Sequence, residues 1–292
     1  MGFWKTLFGG EELTPEEEKK NADERQFDLM KYDGVKALRI GQAEYAVKCF
    51  REALKVHDDL ETRDYLSQAL LRLGLLDDAQ AELQTIIGVQ PDNQAVVLHA
   101  AQVAFMREDY ESMTSLCEQA MALNADNPLA HYLYARAALG QKDGVLAIAR
   151  LTKAISLDET MADARLLRAQ TLLSMGDVSG AADDDAWLME HTNGVEDVLL
   201  LHARVLMKKE QIDDAIAVYG QVIDVNPFSV DAYRERGKAR YDSGDHDGAK
   251  EDMEKVLELN PGEASDINGD YSAEGIEHKV RQQYSYMNPL GL

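Results

Sequence analysis

Three of the chain's six prolines, Pro91, Pro227 and Pro261, lie on a single grid of 34 residues. A fixed period of this length means one supersecondary unit copied end to end, because such a unit cannot bury its apolar face alone and needs a neighbour of its own kind. The unit is clearest from Leu60 to Asn93. Leu66, Leu70, Leu71 and Leu73 recur at helical spacing, and Ala79, Leu83, Ile86 and Ile87 do so again after a break from Gly74 to Asp77. Pro91 cannot continue the second helix, so it stops that helix and resets the chain direction.

Successive copies start at Leu60, Gln94, Pro128, Ala162, Glu196 and Val230, preceded by a copy one residue shorter that starts at Phe27. Numbered within each copy, position 8 is Gly34, Ser67, Ala101, Ala135, Ala169, Ala203 and Gly237. Position 20 is Ala46, Ala79, Met113, Ala147, Ala181, Ala215 and Ala249. Small side chains at these places let the two helices of a hairpin approach closely, where bulk would push the backbones apart. Helix–turn–helix units of this length, small at positions 8 and 20, resemble the tetratricopeptide repeat family over roughly residues 27–263. The resemblance implies an all-α fold, a right-handed superhelical solenoid. The organisation it suggests is a leader or capping segment over 1–26, seven repeats over 27–59, 60–93, 94–127, 128–161, 162–195, 196–229 and 230–263, and a capping helix with a tail over 264–292. Departures from the family pattern are local. No Trp occupies position 4, and position 32 is Asp58, Ala125, Glu159 and Asn193 in four copies. Position 24 is bulky in Phe50, Leu83, Leu151, Tyr219 and Met253, but is Asp185 in the fifth copy.

Charge bounds the partners. A net charge of -23 argues against nucleic acid, whose phosphates need clustered Lys and Arg, and favours solubility and basic partners at long range. No apolar run approaches the ~20 residues that span a bilayer, so no stable membrane insertion is expected. Cys49 and Cys117 lie on second helices two repeats apart and give no disulfide framework, which suits two reduced thiols in a cytoplasmic protein.

The ends are less regular. Met1 to Gly10 is apolar but too short for a signal peptide, and it runs into acidic residues. Met1-Gly2 with Thr6 fits the N-myristoylation pattern; the plainer expectation is that Phe3, Trp4, Leu7 and Phe8 cover the first hairpin or stay without fixed structure. Residues 11–25 predict a solvated helix, with Thr14 as N-cap, Pro15 in the first position and Glu16 to Glu18 in the first turn. Asp183, Asp184 and Asp185 point in different directions from one helix, so they predict a solvated face rather than a cation site, with Trp187 supplying the missing bulk. Asn193-Gly194 is expected to end that helix as a left-handed cap. Beyond Pro261, Asp266, Asn268, Asp270 and Glu277 imitate a calcium loop, yet Tyr271 stands where the loop needs Gly. A turn before a final helix from Ser272 to about Tyr286 is the stronger expectation, followed by an apolar tail, Met287 to Leu292.

In the family, first-helix positions 5, 9 and 12 line the groove that holds partner peptides. By that resemblance position 5 offers an apolar row, Leu98, Tyr132, Leu166 and Leu200, with Arg234 after it. Position 9 supplies Gln102, Arg136, Gln170, Arg204 and Lys238, a polar row without an acid. Such a groove suits an extended or helical segment, whose carbonyls or carboxylate Gln and Arg would satisfy. The competing expectation buries position 5 between neighbouring first helices and pairs the basic residues with acids such as Asp163, Asp197 and Asp231. A chaperone-tail clamp fits poorly: no position 9 is Asn, and only Arg234 with Lys238 resembles one of its pairs.

Seven scattered histidines and the absence of HExxH, CxxC, P-loop or GxGxxG motifs predict no enzyme and no cofactor. The expected function is a non-enzymatic scaffold or adaptor that binds a peptide or helix of another protein. A self-assembling module is the alternative, and a calcium-responsive adaptor a third reading.

Overall fold

The computed structural model describes residues 14–261, and every regular element among them is an α-helix. In chain order these are α1 (Pro15–Arg39), α2 (Ala43–Val56), α3 (Leu60–Arg72), α4 (Leu76–Val89), α5 (Gln94–Met106), α6 (Tyr110–Leu123), α7 (Pro128–Gly140), α8 (Gly144–Leu157), α9 (Ala162–Ser174), α10 (Val178–His191), α11 (Glu196–Lys208), α12 (Ile212–Val225), α13 (Val230–Ser243) and α14 (His246–Leu259). They form two compact units that divide between Gln141 and Lys142. In the first, α1/α2, α3/α4 and α5/α6 are hairpins stacked in order, and α7 packs on α6 and α5. In the second, α8 packs on α9, and the hairpins α9/α10, α11/α12 and α13/α14 follow.

One backbone device closes the turn inside each period. Residue 15 of every copy (Gly41, Gly74, Glu108, Lys142, Gly176, Glu210 and Gly244) has positive φ. This lets the next amide reach back five residues: Gln42 donates to the Ala37 carbonyl at 2.9 Å, Leu75 to Leu70 at 3.0 Å and Asp245 to Arg240 at 2.8 Å. The first helix thus ends in a Schellman closure that satisfies its last carbonyls and turns the chain back. Glycine takes this conformation freely, whereas an L side chain costs ~1–2 kcal/mol there. The second helix then starts at once, often on an Asp: Asp109, Asp143, Asp177 and Asp245 each accept an amide of the first turn.

The small positions are where the hairpins close. Ser67, Ala101, Ala135, Ala169 and Ala203 at position 8 and every residue at position 20 are fully buried. At Gly34 the approach is tightest, since a Cβ there would lie 2.5 Å from a ring carbon of Phe50, the position-24 residue of the same hairpin. Met113, the one large residue at position 20, is also fully buried, and Cys117 one turn later is small where other copies are bulky. Volume is conserved along that face of α6. Cys49 and Cys117 are both buried and free, and burial pushes the Cys117 thiol up to about 12, which keeps it protonated.

Four expectations are changed by the fold. First, the leader helix and the first repeat helix are one element. Thr14 caps it through the reciprocal Thr14–Glu17 box as expected, but α1 runs unbroken to Arg39 because nothing between 15 and 39 breaks a helix. Second, Asp184 and Asp185 do not lie on a solvated face: they are 1% and 4% exposed, and only Asp183 faces water. Arg168 holds Asp184 through two bonds of 2.8 and 2.7 Å, and His202 lies 2.8 Å from Asp185, so both acids are partnered inside the hairpin stack. Third, Trp187 packs on this core as expected, but it also stacks on His191 and carries the Arg165 guanidinium at 4.3 Å. Fourth, α10 closes at Thr192 in extended conformation, and the left-handed Gly194 lies beyond the cap in the connection. The N-terminal decapeptide, the calcium-like loop and the terminal helix and tail lie outside the described residues.

Four substitutions test this account. Glu210→Gly relieves a left-handed side chain and is expected to raise stability in urea unfolding by about 0.5–1 kcal/mol after the entropy of Gly is counted, while Gly244→Ala lowers it by about 1 kcal/mol. Gly34→Ala is expected to cost about 1–3 kcal/mol by overpacking, and Phe50→Leu in the same chain should return part of it. Independent, additive effects of Gly34→Ala and Phe50→Leu would rule out the close approach.

Candidate interaction surface

In the first unit the position-5 and position-9 side chains separate by depth. Leu98 is buried at 6% exposure, because α7 packs directly against α5 and covers the seam between the two first helices. Tyr132 is half-buried and Gln102 is exposed. Arg136 does not seek an acid. Its guanidinium lies 3.7 Å from the ring centroid of Phe105 on α5 and 5.8 Å from that of Tyr132, one turn back on α7. Gln102 is one turn before Phe105, so Gln102, Phe105, Tyr132 and Arg136 share one surface across α5 and α7. Earlier in this unit the stripe is polar and internally paired. Lys31 donates to Asp59 at 2.9 Å and Glu61 at 2.6 Å, and Gln68 donates to Asp64 at 2.9 Å.

In the second unit the same positions are occupied by the protein itself. Leu200 is buried at 6% within the core of α11, α12 and α13, and Leu166 packs against the core beneath α9. Arg204 grips Glu235 of the next hairpin with bonds of 2.6, 2.9 and 3.1 Å, and the Tyr219 hydroxyl donates to the same carboxylate at 2.9 Å. Burial, with the Glu235 charge beside it, pushes the Tyr219 phenol well above its ordinary range, so it stays a donor. Arg234 donates to Asp231 at 2.5 Å and Lys238 to Asp242 at 2.7 Å. Gln170 is half-buried.

The expected apolar row is therefore corrected at Leu98 and Leu200, which serve the core, and the expected polar row at Arg204, which serves a buried ion pair. Position 5 faces the next first helix, and Arg204 at position 9 lies within reach of an acid one repeat on. Two residues that matter escape the sequence reading. Phe105 stands at position 12, on the same stripe but unweighed, and Glu235 stands at position 6, where nothing in spacing marks an acid as buried. Among the described residues no group of three His, Cys, Asp or Glu side chains is placed to hold a metal ion, and no helix is long and apolar enough to cross a membrane.

The tetratricopeptide repeat family model matches residues 66–112 and 200–264. Over those two stretches the chain carries tetratricopeptide repeats. Solved structures of similar fold include a tetratricopeptide repeat protein of Parabacteroides merdae, with a TM-score of 0.68 and 14% identity over 89% of this chain and 99% of that one. PilF of Pseudomonas aeruginosa is similar at a TM-score of 0.58 and 17% identity, covering 70% and 94% of the two chains. MamA of Desulfovibrio magneticus, from its residue 41 onward, is similar at 0.53 and 20%, covering 57% and 94%. At these identities the likeness is one of fold. No curated protein matches the chain.

The two arginines at position 9 separate structure from surface. Arg204→Met leaves the buried Glu235 charge without its partner and is expected to destabilise by roughly 3 kcal/mol, whereas Arg136→Met, on a half-buried cation without an acid, should cost under about 1 kcal/mol. Urea midpoints of the two variants check this, and equal losses would contradict it.

Proposed function

We propose that the protein is a non-enzymatic scaffold, and that the face formed by α3, α5 and α7 holds a peptide or helix from another protein. The observation that carries this reading is the Phe105–Arg136–Tyr132 cluster with exposed Gln102 beside it. Aromatic rings and arginine are the side chains that concentrate binding energy at protein interfaces, because they offer large contact area at little entropic cost. The ring-held guanidinium is already ordered, so binding loses less side-chain freedom there. The half-buried Leu71 and Leu139, on the same stripe, extend the apolar area to either side. In the second unit, Leu166, Gln170, Arg234 and Lys238 offer a weaker version of this surface, already occupied by internal ion pairs. The seven periods over 27–263 are the binding body on this reading, and the two buried free thiols fit a reducing compartment such as the cytoplasm.

Self-association is the second reading, favoured by Leu29, Tyr32 and Tyr45 of the first hairpin, which are each more than half exposed. A photoreactive phenylalanine at Gln102, at Tyr32 and, as a control, at Glu111 separates the two readings in cells. The scaffold reading expects adducts from Gln102 that Phe105→Ser abolishes and that are absent from Glu111. Adducts of twice the chain mass, formed from Tyr32 alone, would replace it by self-association.

A further inference from the structure

Every other described cation on the position-5 and position-9 stripes is neutralised from within. Lys31 has Asp59 and Glu61, Arg204 has Glu235, Arg234 has Asp231 and Lys238 has Asp242, each within 3 Å. Arg136 has no ion pair among the described residues, in a chain with 53 acidic and 30 basic side chains. It is held instead against an aromatic face at 3.7 Å. With its central carbon this close to the ring, the cation is held by the π-face and its N–H groups are not spent on an acid among the described residues. Two adjacent N–H groups of a guanidinium match the two oxygens of a carboxylate, which accept them as a charge-assisted bidentate pair.

We propose that Arg136 reads one carboxylate, an Asp or Glu side chain, on the segment that the first unit binds. The inference rests on the surface reading above and names the partner's chemistry. Phe105 and Tyr132 receive the apolar side chains that flank the acid, and exposed Gln102, one turn before Phe105, bonds the segment's backbone. The protein's own charge sets the rest of the partner's composition. At a net charge of -23 a polyacidic segment is repelled as it approaches, so the partner is neutral or basic around its single acid. The acid is then a register mark: it fixes where along the stripe an apolar segment stops.

The test uses the full chain and arrays of nine-residue peptides, with Glu at the centre and Leu, Phe, Met, Ala or Lys at random around it. Matched arrays carry Gln at the centre, and a third set compares free with amidated C-termini. Peptides retained by the wild type are then titrated by fluorescence anisotropy against wild type, Arg136→Gln and Arg136→Lys, after thermal melts have shown all three folded. The expected result is a preference of about tenfold or more for Glu over Gln, the worth of a paired, charge-assisted contact. Arg136→Gln should abolish that preference, and Arg136→Lys, which keeps charge but not the planar fork, should lose most of it. Equal binding of Glu and Gln peptides, or a preference that survives Arg136→Gln, overturns the inference while the surface reading stands. A preference tied only to a free C-terminus overturns the side-chain assignment, and no retained peptide at all overturns both readings.

Discussion

Everything in this molecule depends on two helix backbones being allowed to lie close together. Positions 8 and 20 supply the room, and the left-handed residue 15 supplies the return. Without small side chains at the crossing, the second helix would ride outward and the apolar residues at position 24 would lose contact with their own hairpin. Gly34 against Phe50 shows how little room remains. Met113 with Cys117 shows that the constraint acts on total volume rather than on residue type. Close packing inside each hairpin then leaves one apolar face uncovered, and the next hairpin covers it.

An acid-rich chain built this way has to bury some of its carboxylates, and it does so by a recurring arrangement. Position 23 of the repeat, on the second helix, carries Glu82, Asp184 and Asp252, and a first-helix arginine at position 4 or 7, Arg63, Arg168 or Arg236, meets each of them. Asp184 and Asp252 are almost fully buried, and each is gripped through both carboxylate oxygens. Desolvating a carboxylate alone would be prohibitive, but a bidentate guanidinium returns most of that cost and fixes the hairpin's register. The Arg204–Glu235–Tyr219 cluster does the same between successive hairpins. Internal demand for arginine is thus high, which is what gives Arg136, the cation left to an aromatic ring, its meaning.

The proposed surface follows from this division of labour. Where a stripe residue faces the neighbouring first helix, it is consumed by packing; where it faces an acid one repeat on, it is consumed by charge. The face of α5 and α7 escapes both fates, because Ala100, Ala101 and Ala135 complete the core beneath it and no described acid reaches Arg136.

Much of the fold was legible in the chain. The 34-residue period, the turn after the first helix, the small crossing positions and the Thr14 cap are all local in sequence, and local features need only propensity and sterics to be read. Helices α3, α5, α7, α9, α11 and α13 begin at Leu60, Gln94, Pro128, Ala162, Glu196 and Val230, on that period. The continuity of α1 and the left-handed Glu108, Lys142 and Glu210 were less visible, since neither a missing breaker nor a strained non-glycine residue leaves a compositional mark. The site was legible only as a stripe. Whether Leu98 is groove or core, whether Arg204 is donor or strut, and whether Asp185 is wet or buried all turn on residues 17 to 34 positions away. The sequence alone determined the hairpin and its repetition, because those arise within one period. Only the tertiary structure decided which side chains remain for a partner, because burial and charge pairing are set between hairpins, where distance in the chain says nothing of distance in space.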